Sequence, residues 1–234
     1  MSGNGEQDTT DGGWRRWRAE DAATQIAIPG PADDKYTRGV LGVITGSDQY
    51  PGAAVLGVEA AIRAGVGMVR YVGGPRASDL VLQRRPEVVT GSGRVQAWLT
   101  GSGLDRQTRD DRTTAAILRA LEEGVPAVID SGALDLVDRL SGPSVITPHF
   151  RELSFVLGRR GVEASAEEIA DRASYWAQRS SELLGQTVLL KGHTTFVASP
   201  GGLKLSVSLG PSWLATAGSG DVLGGILGAL VATH

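Results

Sequence analysis

The residues best placed to do chemistry in this 234-residue chain sit in one stretch, Ala217-Gly218-Ser219-Gly220-Asp221, which feeds the apolar segment 222–232. The loop is built of small residues that obstruct nothing. Beyond it Val222, Leu223, Ile226, Leu227, Leu230 and Val231 recur at helical spacing, which predicts a helix with one buried face. Gly224, Gly225 and Gly228 fall inside that helix, each costing about 1 kcal/mol relative to alanine, so another backbone or a ligand is expected to come close. A glycine loop opening a helix offers unpaired N–H groups and the positive end of the helix dipole, which suits an anion. Asp221 stands where the helix begins. A carboxylate base beside a phosphate cradle is what phosphoryl transfer to a hydroxyl requires. The plainer alternative is a turn in which Asp221 only caps the helix. Gly218-x-Gly220-x-x-Leu223 lacks the third glycine of a dinucleotide fingerprint, and no Gly-x-x-x-x-Gly-Lys occurs.

The elements that must position this loop alternate in type. Apolar strand-like runs at 40–45, 67–72, 95–100, 126–130 and 145–147 are interleaved with helical stretches at 51–64 and 108–123. A long helix is expected over 165–184, opened by the capping box Ser165-x-x-Glu168. Strands at 187–191, 194–198 and 203–207 follow, the last two joined by a Ser199-Pro-Gly-Gly202 hairpin turn. Such alternation predicts a mainly parallel sheet with helices on both faces and no internal domain boundary. Ligands bind such sheets beyond the carboxyl ends of the strands. There the sequence places Gly46-Ser47, Gly101-Ser102-Gly103, Asp130, Thr147-Pro148-His149 and Lys191-Gly192, which together with the glycine loop describe one cleft.

Composition narrows the chemistry. A net charge of −3 gives no support for bulk electrostatic binding to nucleic acid or to an anionic membrane. The absence of cysteine excludes disulfides, thiolate metal sites and cysteine nucleophiles, and three histidines argue against a structural zinc site. The 33 glycines imply many tight turns or close backbone approaches. The polar N-terminus lacks the apolar core of a signal peptide and no apolar run is long enough to span a bilayer, so a cytoplasmic protein is expected. Residues 1–32 read as a flexible tail, with Trp14–Arg18 as a surface turn or short docking segment, and 33–234 as one domain.

Taken together, Lys35-Tyr-x-Arg-Gly39, Tyr50-Pro-Gly-Ala-Ala54, Ala64-Gly-Val-Gly-Met68, Gly101-Ser-Gly-Leu104, Asp130-Ser-Gly-Ala-Leu134, Thr147-Pro-His149 with Glu152, Leu189-Leu-Lys-Gly192 with Thr194, and Ala215-Thr-Ala-Gly-Ser-Gly-Asp-Val-Leu223 resemble the ADP/ATP-dependent NAD(P)H-hydrate dehydratases, in the family's order. Gly-Ser-Gly-Asp alone is shared with sugar and vitamin kinases; Pro-Gly-Ala-Ala with Thr-Pro-His is more specific. The resemblance implies a ribokinase-like three-layer α/β/α fold and a repair enzyme that returns the S-form of hydrated NADH or NADPH (NADHX, NADPHX) to NADH or NADPH. It implies ADP or ATP as phosphoryl donor with Mg²⁺, and no metal site of the protein's own. Lys191, Gly192, His193, Thr194, Thr195 and Gly220 would line the nucleotide site, and Ala53, Ala54, Gly103, His149 and Asp221 would face the substrate. Asp221 would act as base while Gly218, Ser219 and Gly220 hold the developing charge. A homo-oligomer, a tetramer or larger, is implied, with an NAD(P)H-hydrate epimerase in the same pathway. A small-molecule kinase and a non-catalytic nucleotide-binding relative are the alternatives. Three departures stand out: Arg151 replaces the glycine of Thr-Pro-His-x-Gly-Glu, Gly101-Ser-Gly-Leu-Asp105 replaces Gly-Pro-Gly-Leu-Gly, and the family continues for several helices beyond the position of His234. The last implies apolar surface on 222–231 left bare, each fully buried side chain there being worth roughly 1.5–3 kcal/mol.

Overall fold

The computed structural model describes residues 9–10, 12–208 and 210–234, so residues 1–8 and 11 of the expected tail lie outside the described residues. In chain order the elements are β1 (Thr9–Thr10), β2 (Trp14–Arg16), α1 (Ala19–Ala23), β3 (Val40–Ile44), α2 (Pro51–Arg63), β4 (Met68–Tyr71), α3 (Pro75–Arg84), β5 (Val89–Thr90), β6 (Ala97–Thr100), α4 (Asp111–Glu122), β7 (Ala127–Ile129), a 3₁₀ stretch (Ser131–Arg139) and β8 (Ser144–Ile146). Then come α5 (Phe150–Gly158), α6 (Ala166–Asp171), α7 (Ala173–Leu184), β9 (Thr187–Leu190), β10 (Thr195–Ala198), β11 (Lys204–Val207), a 3₁₀ turn (Ser212–Leu214) and α8 (Ser219–Ala232). They fall into two compact units, one of residues 1–26 and 148–212, the other of 27–147 and 213–234. No compositional break marks either boundary.

The second unit carries six strands in the order β8-β7-β6-β3-β4-β5, every pair parallel. Val40–Ile44 and Ala97–Thr100 are buried at every position, as strands covered on both faces must be. Successive side chains point to opposite faces. Leu41 and Leu99 meet α8, whereas the Trp98 ring fills the space above Gly42 and donates its Nε1–H to Glu123 at the end of α4 (3.0 Å). Helices therefore lie on both faces. On the α8 side Glu59 of α2 accepts hydrogen bonds from Arg63 (2.6 Å), Arg84 (3.2 Å) and Arg85, tying α2 to α3, and these guanidinium groups hold its carboxyl down at about 2.

Helix α8 packs the other way round from the sequence expectation. Its buried residues are Gly224, Gly225, Gly228, Ala229 and Ala232, while Ile226 is exposed and Val222, Leu223, Leu227, Leu230 and Val231 are half-buried. A Cβ on Gly225 would overlap the carbonyl oxygen of Gly57 in α2; on Gly224 and Gly228 it would come within 3.1 Å of Leu99 and 3.0 Å of Leu41. What comes close to these glycines is backbone and core, and the small side of the helix is the packed side.

In the other unit β9, β10 and β11 form an antiparallel meander, β2 runs parallel to β11, and β1 pairs antiparallel with β2. The expected hairpin turn is present: Gly202, at φ 89°, donates its N–H to the Ser199 carbonyl (3.0 Å). Two expectations need correction. Residues 14–17 are neither flexible tail nor surface turn, because Trp14 is buried with its ring edge-on to Phe196 (4.9 Å) and Trp17 N–H donates to Ser206 O (2.8 Å). The long helix of 165–184 is two helices. Arg172 leaves helical geometry (φ −129°, ψ 45°) and lays its guanidinium 4.2 Å from the Tyr175 ring. Among the described residues no helix is long and apolar enough to cross a membrane.

Candidate active site

The glycine loop ends at Gly218, which caps α8 in the left-handed conformation (φ 91°) with Leu56 Cδ1 only 2.7 Å from where a Cβ would sit. Any other residue would be strained and would clash. Ser219 Oγ donates to Thr216 O (2.9 Å), fixing the loop, and Val222 N–H donates to Gly218 O (3.0 Å), starting the helix. No side chain caps α8 from Gly218. Its leading N–H groups and dipole thus form an electropositive end, and Asp221 lies within that same first turn. Ahead of the loop, Trp213 is 90% exposed.

A second set in the same unit surrounds Gly103. Its φ is 66°, its Cβ position is filled by the Ala53 side chain, and Gly46 Cα lies 3.1 Å from that position. Gly46 N–H donates to Ser102 O (2.7 Å), so the ends of β3 and β6 are pinned together. Ala54 was expected to face the substrate, but it has no exposed surface and its Cβ abuts Gly46. Its side chain packs into the turn. Asp130 occupies the cap position of the 3₁₀ stretch without capping it. Its buried carboxylate accepts from Ser102 Oγ (3.0 Å) and Thr147 Oγ1 (2.7 Å), joining the ends of β6, β7 and β8. This brace, among residues 28 and 17 positions apart, has no local signal; the hydroxyls at Ser102 and Thr147 were its trace.

In the other unit His149 caps α5. Its Nδ1 accepts from Glu152 N–H (3.2 Å), while the Glu152 carboxylate accepts from His149 N–H (2.8 Å), a capping box with histidine in the usual serine place. With Nδ1 an acceptor, the neutral ring carries its proton on Nε2, on a side chain 52% exposed. Glu152 also lies 3.7 Å from Lys191 Nζ, and Lys191 N–H donates to Pro148 O (2.9 Å). Lys191, Gly192, His193 and Thr194 form the bend between β9 and β10, and Thr195 begins β10 opposite Val207. A Cβ on Gly192 would approach the Phe150 ring to 2.9 Å, Thr194 Oγ1 shares a hydrogen bond with Ser208 Oγ (2.9 Å), and His193 is exposed. Arg151 is exposed beside His149, so it does not crowd the histidine from within. Among the described residues no group of three or more His, Asp or Glu side chains could hold a metal ion.

Comparison with known proteins places this architecture. The NAD(P)H-hydrate dehydratase family profile matches residues 41–234. The bifunctional NAD(P)H-hydrate repair enzyme of Mycobacterium tuberculosis is 44% identical over 229 residues, 93% of this chain and 46% of its own length. The ADP-dependent (S)-NAD(P)H-hydrate dehydratase of Neisseria meningitidis serogroup B is 34% identical over 216 residues, 85% of this chain and 71% of its own. The ADP/ATP-dependent NAD(P)H-hydrate dehydratase of Bacillus subtilis, co-crystallised with ATP and Mg²⁺, aligns with a TM-score of 0.80 at 24% identity, over 93% of this chain and 85% of that one. A ribokinase-like superfamily protein of Enterococcus faecalis V583 aligns at 0.79 and 25% identity, over 93% and 80%. The fold is accordingly ribokinase-like, of the three-layer α/β/α class with a mainly parallel sheet. This chain spans about half the length of the bifunctional relatives it matches. It belongs to the NAD(P)H-hydrate dehydratase family.

Proposed function

We propose that the chain carries out the ADP- or ATP-dependent dehydration of S-hydrated NADH or NADPH. The observation that carries this reading is the start of α8, where a carboxylate and a helix end without a side-chain cap share one turn. The Asp221 carboxylate accepts the proton of the ring hydroxyl as that oxygen attacks the terminal phosphoryl group. The P–O bond to the donor breaks, releasing AMP from ADP or ADP from ATP. The N–H groups of Gly218, Ser219 and Gly220 offset the charge gathering on the phosphoryl oxygens. The ring nitrogen's lone pair then expels phosphate, and loss of a proton from the neighbouring ring carbon restores the reduced ring. Phosphorylation turns hydroxide, a poor leaving group, into a good one.

Lys191, Gly192, His193, Thr194 and Thr195 are assigned to the nucleotide. Ala53, Gly103 and the Nε2–H of His149 are assigned to the substrate. The described residues offer no ligand cluster, so Mg²⁺ is treated as travelling with the nucleotide phosphates, and no step is routed through it. The reading carries with it a cytoplasmic homo-oligomer, a tetramer by family likeness, working beside an epimerase that supplies the S-form. The repair enzymes of Mycobacterium, bifunctional by name, support that pairing. Incubation with hydrated NADH, Mg²⁺ and either nucleotide should restore the absorbance of NADH with release of phosphate. A stable phosphorylated product would make the chain a kinase, and nucleotide binding without turnover would make it a non-catalytic relative.

A further inference from the structure

A buried carboxylate that no step of the proposed reaction uses stands at the end of β7. Asp130 is 4% exposed and accepts from Ser102 Oγ (3.0 Å) and Thr147 Oγ1 (2.7 Å). Its position suits a cap of the 3₁₀ stretch that follows, yet its side chain makes no cap hydrogen bond there. The next residue, Ser131, holds φ at 42°, the only positive φ outside glycine among the described residues. Such strain persists only where the surroundings impose it, and it collects at functional sites. A cap is given up and a strained backbone tolerated where one carboxylate is directed at two hydroxyls.

Ser102 carries that carboxylate's influence to the site. It is buried, its Oγ donates to Asp130, and its carbonyl accepts from Gly46 N–H (2.7 Å). The residue after it is Gly103, assigned above to the hydrated ring. Ser102 Oγ also lies 3.5 Å from the Cβ position of Gly224. Gly224 follows Asp221 by three residues, so the two are neighbours on the surface of α8. One hydroxyl, held from behind by Asp130, thus belongs to the loop assigned to the ring and abuts the helix that carries the base. Ser102, Asp130, Thr147 and Gly224 all lie in the second unit. A misplacement of about 1 Å between reacting groups costs turnover steeply, so whatever fixes this spacing acts on rate.

We propose that Asp130 is a positioning residue of the reaction, setting through Ser102 the spacing between Gly103 and the first turn of α8. The proposal rests on the dehydratase reading, and its test separates the two. Asp130→Asn keeps the shape with one acceptor oxygen fewer, and Ser102→Ala removes the hydroxyl should the first variant melt early. Each should lower kcat per folded molecule about tenfold in restoring NADH, with the KM of the nucleotide donor unchanged. The double variant should lose no more than the worse single one, because both act through one hydrogen bond. A wild-type kcat per folded molecule would make the brace structural only, and a loss of about a hundredfold in the double variant would unlink Asp130 from Ser102. Either result, or a change confined to the donor's KM, overturns the proposal. Amide exchange needs no turnover. The amides of Gly46 and Val222, bonded to Ser102 O and Gly218 O, should exchange about tenfold faster in the folded variant, while those of β4 keep their rates. Unchanged exchange at either amide would sink the idea. Should the wild type restore no NADH, the dehydratase reading falls and the exchange measurement still decides whether Asp130 holds the loop to the helix.

Discussion

Two helix starts, one in each compact unit, solve the same problem in opposite ways. At α5 the leading N–H groups are met by side chains, with His149 and Glu152 bonded reciprocally. At α8 the cap is a left-handed glycine with no side chain to offer. The first end is met by the side chains of its own cap and first turn; the second has no side-chain cap from its N-cap residue. Their glycines differ in the same sense. Gly158 of α5 has nothing within 4 Å of its Cβ position, whereas Gly225 of α8 faces the carbonyl oxygen of Gly57. One helix is secured by side chains at its end, the other by backbone contact along its length.

The largest expected effect breaks this comparison at its functional side. Asp221→Asn should keep nucleotide binding, read by calorimetry, and lose about 10²–10⁴ in turnover, the usual worth of a positioned base. Near-normal turnover would remove Asp221 from the chemistry. Next in size, Gly225→Ala should cost about 1–3 kcal/mol in urea unfolding, the range of overpacking, because α8 must shift off α2. Gly158→Ala should be neutral or stabilising by up to about 1 kcal/mol, the difference in helix propensity. Equal responses would show that the two helices are not held differently.

At the α5 end, His149→Ala should cost about 1 kcal/mol through the lost cap, and His149→Asn should recover most of it, asparagine being a good cap. Turnover that stays low in the asparagine variant would separate the ring's Nε2 from the cap. The smallest effect concerns α2, on which α8 leans. Glu59 ionises at about 2 in the folded chain against an ordinary 4.5, held low first by Arg85 and then by Arg63 and Arg84. The depressed value means that its stabilisation is complete above pH 4.5 and is lost as pH falls towards 2. Glu59→Gln should flatten the acid limb of a stability profile by no more than about 1 kcal/mol, since Arg63 and Arg84 are solvent-exposed. A profile that keeps its slope would assign the acid limb elsewhere.

The contrast also marks what the sequence could disclose. Strand runs and the hairpin turn between β10 and β11 are legible because apolar periodicity and turn residues act locally. Ser165-x-x-Glu168 is legible as a capping box, whereas His149-x-x-Glu152 is not, since histidine seldom serves as a cap. Helix α3 has a fair start signal in Gly74-Pro75 but little apolar periodicity, because half of Pro75–Arg84 is polar or charged. The packed face of α8 runs against its hydrophobic periodicity for a physical reason. Hydrophobic periodicity identifies the side of a helix that water avoids, but where two backbones touch, the side that packs is the side with no room for a side chain. The Asp130 brace was out of reach for another reason: its three members come from three different strand ends.

Trp213 gives the molecule a built-in optical gauge. Of the five tryptophans, it alone is exposed over most of its surface, and it stands five residues ahead of the Gly218 cap. Collisional quenchers in solution should therefore darken Trp213 first and leave the emission of the buried Trp14 and Trp98 almost intact. Any ligand that orders the segment between Trp213 and α8 would change how readily it is quenched, so occupancy of the glycine loop can be followed by light with no label added.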